Sequence, residues 1–215
     1  MRTTDTIPDL LVKNLPRGLL IGVEEALATG AKRAFAAARG MDEGHLPHVV
    51  GQLRHFHMNE AFQRSLAVSD ASPSPICGNG IVTGKVGVFR LARLNVHQGI
   101  WNNGRRSKTR RRLARVNISI EPLVQPDFFR ENIPPAEAVV FFVACFSNSL
   151  QIQPDSPISI QVAVPDPQMR YWLFKESLED FAKRYEEKVV TQDDLARPKL
   201  KKDIGKRVDK DGTTL

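Results

Sequence analysis

Residues 86–120 read VGVFRLARLNVHQGIWNNGRRSKTRRRLARVNISI, and how this stretch folds decides the architecture built around it. Its first third alternates Val86, Val88, Arg90, Ala92, Leu94 and Val96 with Gly87, Phe89, Leu91, Arg93, Asn95 and His97. A period of two marks a strand, because successive side chains point to opposite faces. The last third sets Ala114, Val116, Ile118 and Ile120 against Arg115, Asn117 and Ser119, the same period. Between them stands Trp101-Asn102-Asn103-Gly104-Arg105-Arg106, and Asn-Gly suits a hairpin turn because both residues tolerate positive φ. The pattern therefore predicts a long β-hairpin with a basic tip and a basic second strand.

Upstream the period is helical. Leu10, Leu11 and Leu15, then Leu19, Val23, Leu27, Ala31 and Phe35, recur at steps of three and four, with Pro16 placed to end or kink the first helix. A further helix is expected from His45-Leu46-Pro47 to about Leu66, and 67–80 is a loop punctuated by Ser, Pro and Gly. Downstream, Glu137–Ser147 and Pro157–Val164 read as strands, Pro165-Asp166-Pro167 as the end of the sheet, and Met169–Lys188 as a helix. The expected fold class is α+β: N-terminal helices, a four-stranded, mainly antiparallel sheet with the basic hairpin, and a C-terminal helix. Residues 1–190 form the single expected domain, and 191–215 a basic, flexible tail with little apolar content.

Charge is unevenly distributed. From Ala71 to Ile120 there is no Asp or Glu, yet ten Lys and Arg occur there. Arg197–Lys210 carries a net +5, and the remainder holds 14 basic against 22 acidic residues, or −8. A net +7 thus hides an acidic body bearing two basic segments. The densest run is 105–115, with seven cations in eleven residues, six of them arginine. Such a run repels itself unless an anion lies across it. The planar arginine fork makes bidentate contacts to phosphate and stacks on bases, which lysine cannot do. The candidate nucleic-acid-binding set is Trp101, Asn102, Asn103, Arg105, Arg106, Lys108, Arg110, Arg111, Arg112 and Arg115, the first three offering a stacking surface and base-edge amides.

Other chemistries are less well supplied. His55, His57 and Glu60 lack the spacing of a His-Glu-x-x-His metal helix, so no metal and no cofactor is expected. The first two strands carry no carboxylate before Glu121, and Glu137, Asp155 and Asp166 fall at strand ends and turns, which disfavours a Mg²⁺-dependent nuclease. Gly78 to Lys85 resembles a phosphate loop only in its glycines, since Val86 follows the lysine and a strand follows both. Cys145, in the apolar run 138–146, reads as a core residue.

Three functions fit this pattern. The first is a non-enzymatic nucleic-acid-binding protein, for DNA or RNA or another polyanion. The second is a metal-independent ribonuclease-type enzyme with His97 as general base beside the basic turn. The third is an interaction subunit docking on an acidic protein partner or on another copy, as a homo-oligomer. With no apolar run long enough for a membrane span, no signal-peptide layout and only two cysteines, the expectation is a cytoplasmic protein with no membrane contact.

Overall fold

The computed structural model describes residues 6–97, 102–124, 135–147 and 154–186. Three helices come first: α1 (Ile7–Asn14), α2 (Arg17–Ala37) and α3 (Leu46–Val68). Thr6 and Asp9 form a reciprocal capping box at the start of α1. The chain turns extended at Leu15 because the residue before a proline avoids helical angles, so Pro16 separates α1 from α2 outright. Leu19, Leu20, Val23, Leu27, Ala31 and Ala34 bury one face of α2. Gly30 lets α3 approach closely: a Cβ there would stand 2.8 Å from the Cα of Met58.

Five strands follow in an α+β arrangement. They are β1 (Thr83–Val86), β2 (Phe89–His97), β3 (Ala138–Phe146), β4 (Ser159–Pro165) and β5 (Trp172–Ser177), lying side by side in chain order in one mixed sheet. The alternating run 86–97 thus holds one strand, β2, from Phe89 onward, preceded by the end of β1 and the turn between them. β1 turns back into β2 at Gly87, whose φ of +54° is open to glycine, and whose missing side chain leaves room for Asn14.

The fold expectation is corrected at β2 and β3. These strands are parallel, registered from Phe89↔Ala138 to His97↔Phe146, whereas the other neighbouring pairs are antiparallel. A parallel pair cannot be closed by a hairpin and needs a long crossover. Residues 98–137 supply it. The expected basic hairpin is therefore not formed. In its place stand two short helices, α4 (Asn102–Arg106) and α5 (Lys108–Ala114), then 3₁₀ turns at Arg115–Ser119 and Glu121–Leu123. Burial of Ala114, Asn117 and Ile120, with Ile118 57% exposed, shows why. The spacing that decides this segment is three, the repeat of a 3₁₀ turn, and not the apparent alternation of two.

The crossover covers one face of the sheet and the N-terminal helices cover the other. On the first helical side, Phe89, Leu91, Val140, Phe142, Ile160 and Val162 pack with Leu11, Val23, Leu27 and Phe62. On the opposite side, Ala92, Leu94, Val139, Phe141, Val143 and Ala163 pack with Ala114 and Met169, and Leu113, Val116 and Trp172 lie against them. β3, AVVFFVACF, is apolar throughout because it is covered on both faces.

The helix expected over 169–188 is also replaced. Trp172–Ser177 pairs with β4 as β5, and among the described residues of that range only α6 (Leu178–Lys183) is helical, capped by Ser177 accepting from the Asp180 N–H. The aromatic residues that suggested a longer helix still meet: Phe181 stacks edge-on with Phe174 and Tyr185. Among the described residues no helix is long and apolar enough to cross a membrane, and no group of three or more His, Cys, Asp or Glu could hold a metal.

Candidate polyanion site

Ser107 starts α5, its hydroxyl accepting from the Arg110 N–H at 3.3 Å. The seven-residue helix then sorts its side chains by period. Lys108, Arg111 and Arg112 are exposed, as is Arg115 just beyond the helix, whereas Ala114 is buried and Leu113 packs on the sheet. The spacing i, i+3, i+4, i+7 places the four cations along one stripe.

The crossover is pinned beneath this stripe by Asn117. Its Nδ2 donates to the carbonyls of Val139 at 3.1 Å and Pro165 at 2.7 Å, and its Oδ1 accepts from the Val139 N–H at 2.6 Å. Extending the β3–β4 register from Phe141↔Ala163 brings Val139 opposite Pro165. Proline has no N–H, so the ladder cannot close there, and the Asn117 amide takes its place. The pattern 113–120 had assigned Asn117 to an exposed strand face. It is fully buried.

The opposite wall comes from the β4–β5 turn. Asp166 is buried, and its carboxylate accepts from the backbone N–H groups of Gln168 at 3.1 Å, Arg170, and Tyr171 at 3.0 Å. Met169 sits at φ +55° with its side chain in the core, so Gln168 and Arg170 are turned outward. The two walls enclose a cleft of about 570 Å³ lined by Arg105, Lys108, Arg111, Arg112, Arg115, Pro167, Gln168 and Arg170. Six of these eight residues are cationic and none is acidic. Among the described residues, no ion pair engages any of the six.

The structure thus gathers five of the ten expected residues, Arg105, Lys108, Arg111, Arg112 and Arg115, and adds Arg170, which sequence reading missed. Nothing local marks Arg170 as a partner of residues 55 to 65 positions earlier. The available signal was the Pro165-Asp166-Pro167 turn, which displays whatever follows it. Arg106 is exposed and does not line the cleft. Asn102 and Asn103 fall in α4, and Trp101 lies outside the described residues, as does the basic tail 191–215.

Arg110 points elsewhere. It is largely buried near Arg93 and His55, and its buried Nε has no hydrogen-bond partner among the described residues. Arg93 is 3% exposed, with Nε donating to Asn59 Oδ1 at 2.8 Å, Nη1 to Asn95 Oδ1 at 3.0 Å, and Nη2 to the His55 carbonyl at 2.6 Å. Burial, and then Arg110, hold the Arg93 guanidinium well below the usual arginine range. The same surroundings depress His55, through burial first and then Arg93 and Arg110. Neutral amides and carbonyls solvate this charge where a carboxylate would be usual. Arg90 is also withdrawn from the surface field, by an ion pair with Glu137 at the start of β3.

His97 closes β2, paired with Phe146, and its Nδ1 stands 3.2 Å from the Ser147 carbonyl oxygen. It is not among the residues lining the cleft. Cys77 is exposed and Cys145 half-buried, and both are free thiols. In comparisons with protein-family models, curated proteins and solved structures, none matches this chain.

Proposed function

We propose that this protein binds nucleic acid without acting on it chemically, and that the cationic cleft between α5 and the β4–β5 turn is where it grips phosphates. The observation that supports this reading is the convergence of six side-chain cations from two separate parts of the chain on one acid-free concavity. Like charges at this density repel, by about 1 kcal/mol per pair at 4 Å even in water. An anion across them turns that repulsion into attraction. Five of the six are arginine, the residue suited to forked contacts with phosphate oxygens. Phosphate contacts fix a nucleic acid in place without reading its sequence, so this cleft by itself favours neither DNA nor RNA.

Fluorescence anisotropy with a labelled single-stranded oligonucleotide at low salt tests the proposal. Tight binding is expected, weakened at least tenfold when Arg111, Arg112 and Arg170 are together replaced by glutamine. Binding that is absent at low salt, or unchanged in that variant, would overturn it. An acidic protein surface binding in place of the oligonucleotide would point to the docking role instead.

A further inference from the structure

The shape of the cleft says more than its charge. Building on the nucleic-acid reading, we infer that the cleft is an end-binding site that receives the terminal phosphomonoester of a single strand. Its volume of about 570 Å³ lies within the range of pockets that take one small ligand. It also has two opposed walls: α4, α5 and the following 3₁₀ turn carry Arg105, Lys108, Arg111, Arg112 and Arg115, and the β4–β5 turn carries Arg170.

A duplex presents its phosphates on a convex cylinder, which suits a flat or ridged basic surface. A strand end can enter a pocket. Charge density favours the same ligand, because a phosphomonoester carries close to two negative charges at neutral pH and three oxygens able to accept hydrogen bonds. An internal diester carries one charge and two such oxygens. Several arginine forks can therefore converge on a terminal phosphate, where a diester would leave some of them unused.

Arg170 is the discriminating residue because it alone supplies cationic charge from the second wall. Its backbone is held by Asp166, independently of its side chain. Substitution of the exposed guanidinium therefore leaves the turn intact.

The test compares four internally labelled single strands of one sequence by anisotropy: a dodecamer with hydroxyl ends, the same dodecamer with a 5′-phosphate, the same with a 3′-phosphate, and a hydroxyl-ended tetradecamer. The tetradecamer matches the phosphorylated dodecamers in total charge. End binding predicts that one phosphorylated dodecamer binds at least tenfold tighter than the tetradecamer at pH 7.5. That preference should fall to about twofold in Arg170→Gln, and should shrink at pH 5, where the terminal phosphate has lost its second charge. Circular dichroism and thermal melting of Arg170→Gln confirm that the fold is retained. Equal affinity for phosphorylated dodecamers and tetradecamer would overturn end binding while leaving the nucleic-acid interface in place. A preference undiminished in Arg170→Gln would put the strand end elsewhere and overturn it too. Absence of binding by all four strands would overturn both proposals together.

Discussion

At the scale of single residues, this protein depends on buried polar groups that stand in for missing partners. Asn117 completes a sheet ladder that Pro165 interrupts, and it is fully buried while doing so. Asn117→Ala would strand the Val139 N–H and two carbonyls. Each unsatisfied buried group costs about 1–3 kcal/mol, so a loss of about 3 kcal/mol is expected in urea unfolding. His55 offers a pH-dependent case. Its folded pKa is depressed by burial and then by Arg93 and Arg110, and its Nε2 lies 3.3 Å from the Asn59 amide nitrogen, which donates to the neutral ring. Below about pH 6.5 the unfolded chain takes up a proton that folded His55 resists. Its contribution is therefore complete above that pH and is lost as the pH falls from there toward the folded pKa. Melting temperatures measured from pH 7.5 to 5 should fall less steeply in His55→Gln than in the natural protein. Parallel curves would show that His55 is not the titrating group.

At the scale of elements, α5 is a helix whose exposed stripe works against its own stability. Lys108 and Arg112 are like charges at i, i+4, as are Arg111 and Arg115, and each such pair disfavours a helix by about 0.2–0.5 kcal/mol. Arg111 and Arg112 also lie in the last turn, where the helix dipole favours cations by a similar amount. The opposing effects nearly cancel. Arg111→Gln should thus change folding stability by no more than about 0.5 kcal/mol while weakening oligonucleotide binding several-fold. A chemical denaturation curve beside a binding isotherm separates the two. A large stability loss would mean that Arg111 serves the fold and not the ligand. The neighbouring Arg110 belongs to the opposite kind, turned inward toward Arg93 and His55, although nothing in the run Arg110-Arg111-Arg112 distinguishes the three by composition.

At the scale of the whole molecule, the acid-free block of ten cations is divided by the fold. Arg90 is paired with Glu137, Arg93 and Arg110 are buried or largely so, and five of the rest meet Arg170 in the cleft. Cations that converge on one terminal phosphate neutralise about two charges, which gives a single strand a slope of about −1.4 in log affinity against log salt, whereas ten separate phosphate contacts would give about −7. An observed slope nearer −1.4 than −7, flattened further in Arg170→Gln, is the expected result. A slope unaffected by that substitution would remove Arg170 from the interface.

What local pattern encodes was legible in the sequence. The break at Pro16, the apolar faces of α2 and α3, the loop after α3 and the doubly buried β3 all follow from periodicity, proline geometry and an unbroken apolar run. Local pattern also located the basic segment and its arginine bias. It did not determine that β2 and β3 are parallel, because strand direction depends on partners some 50 residues apart and on a crossover that must cover a face of the sheet. Once that crossover was required, Ala114, Asn117 and Ile120 became its buried side, and the alternation that suggested a hairpin lost its meaning. The cleft itself belongs to tertiary structure alone. One wall was written in residues 105–115, but Arg170 joins it only because β4 and β5 turn back beside the crossover, held there by the buried carboxylate of Asp166.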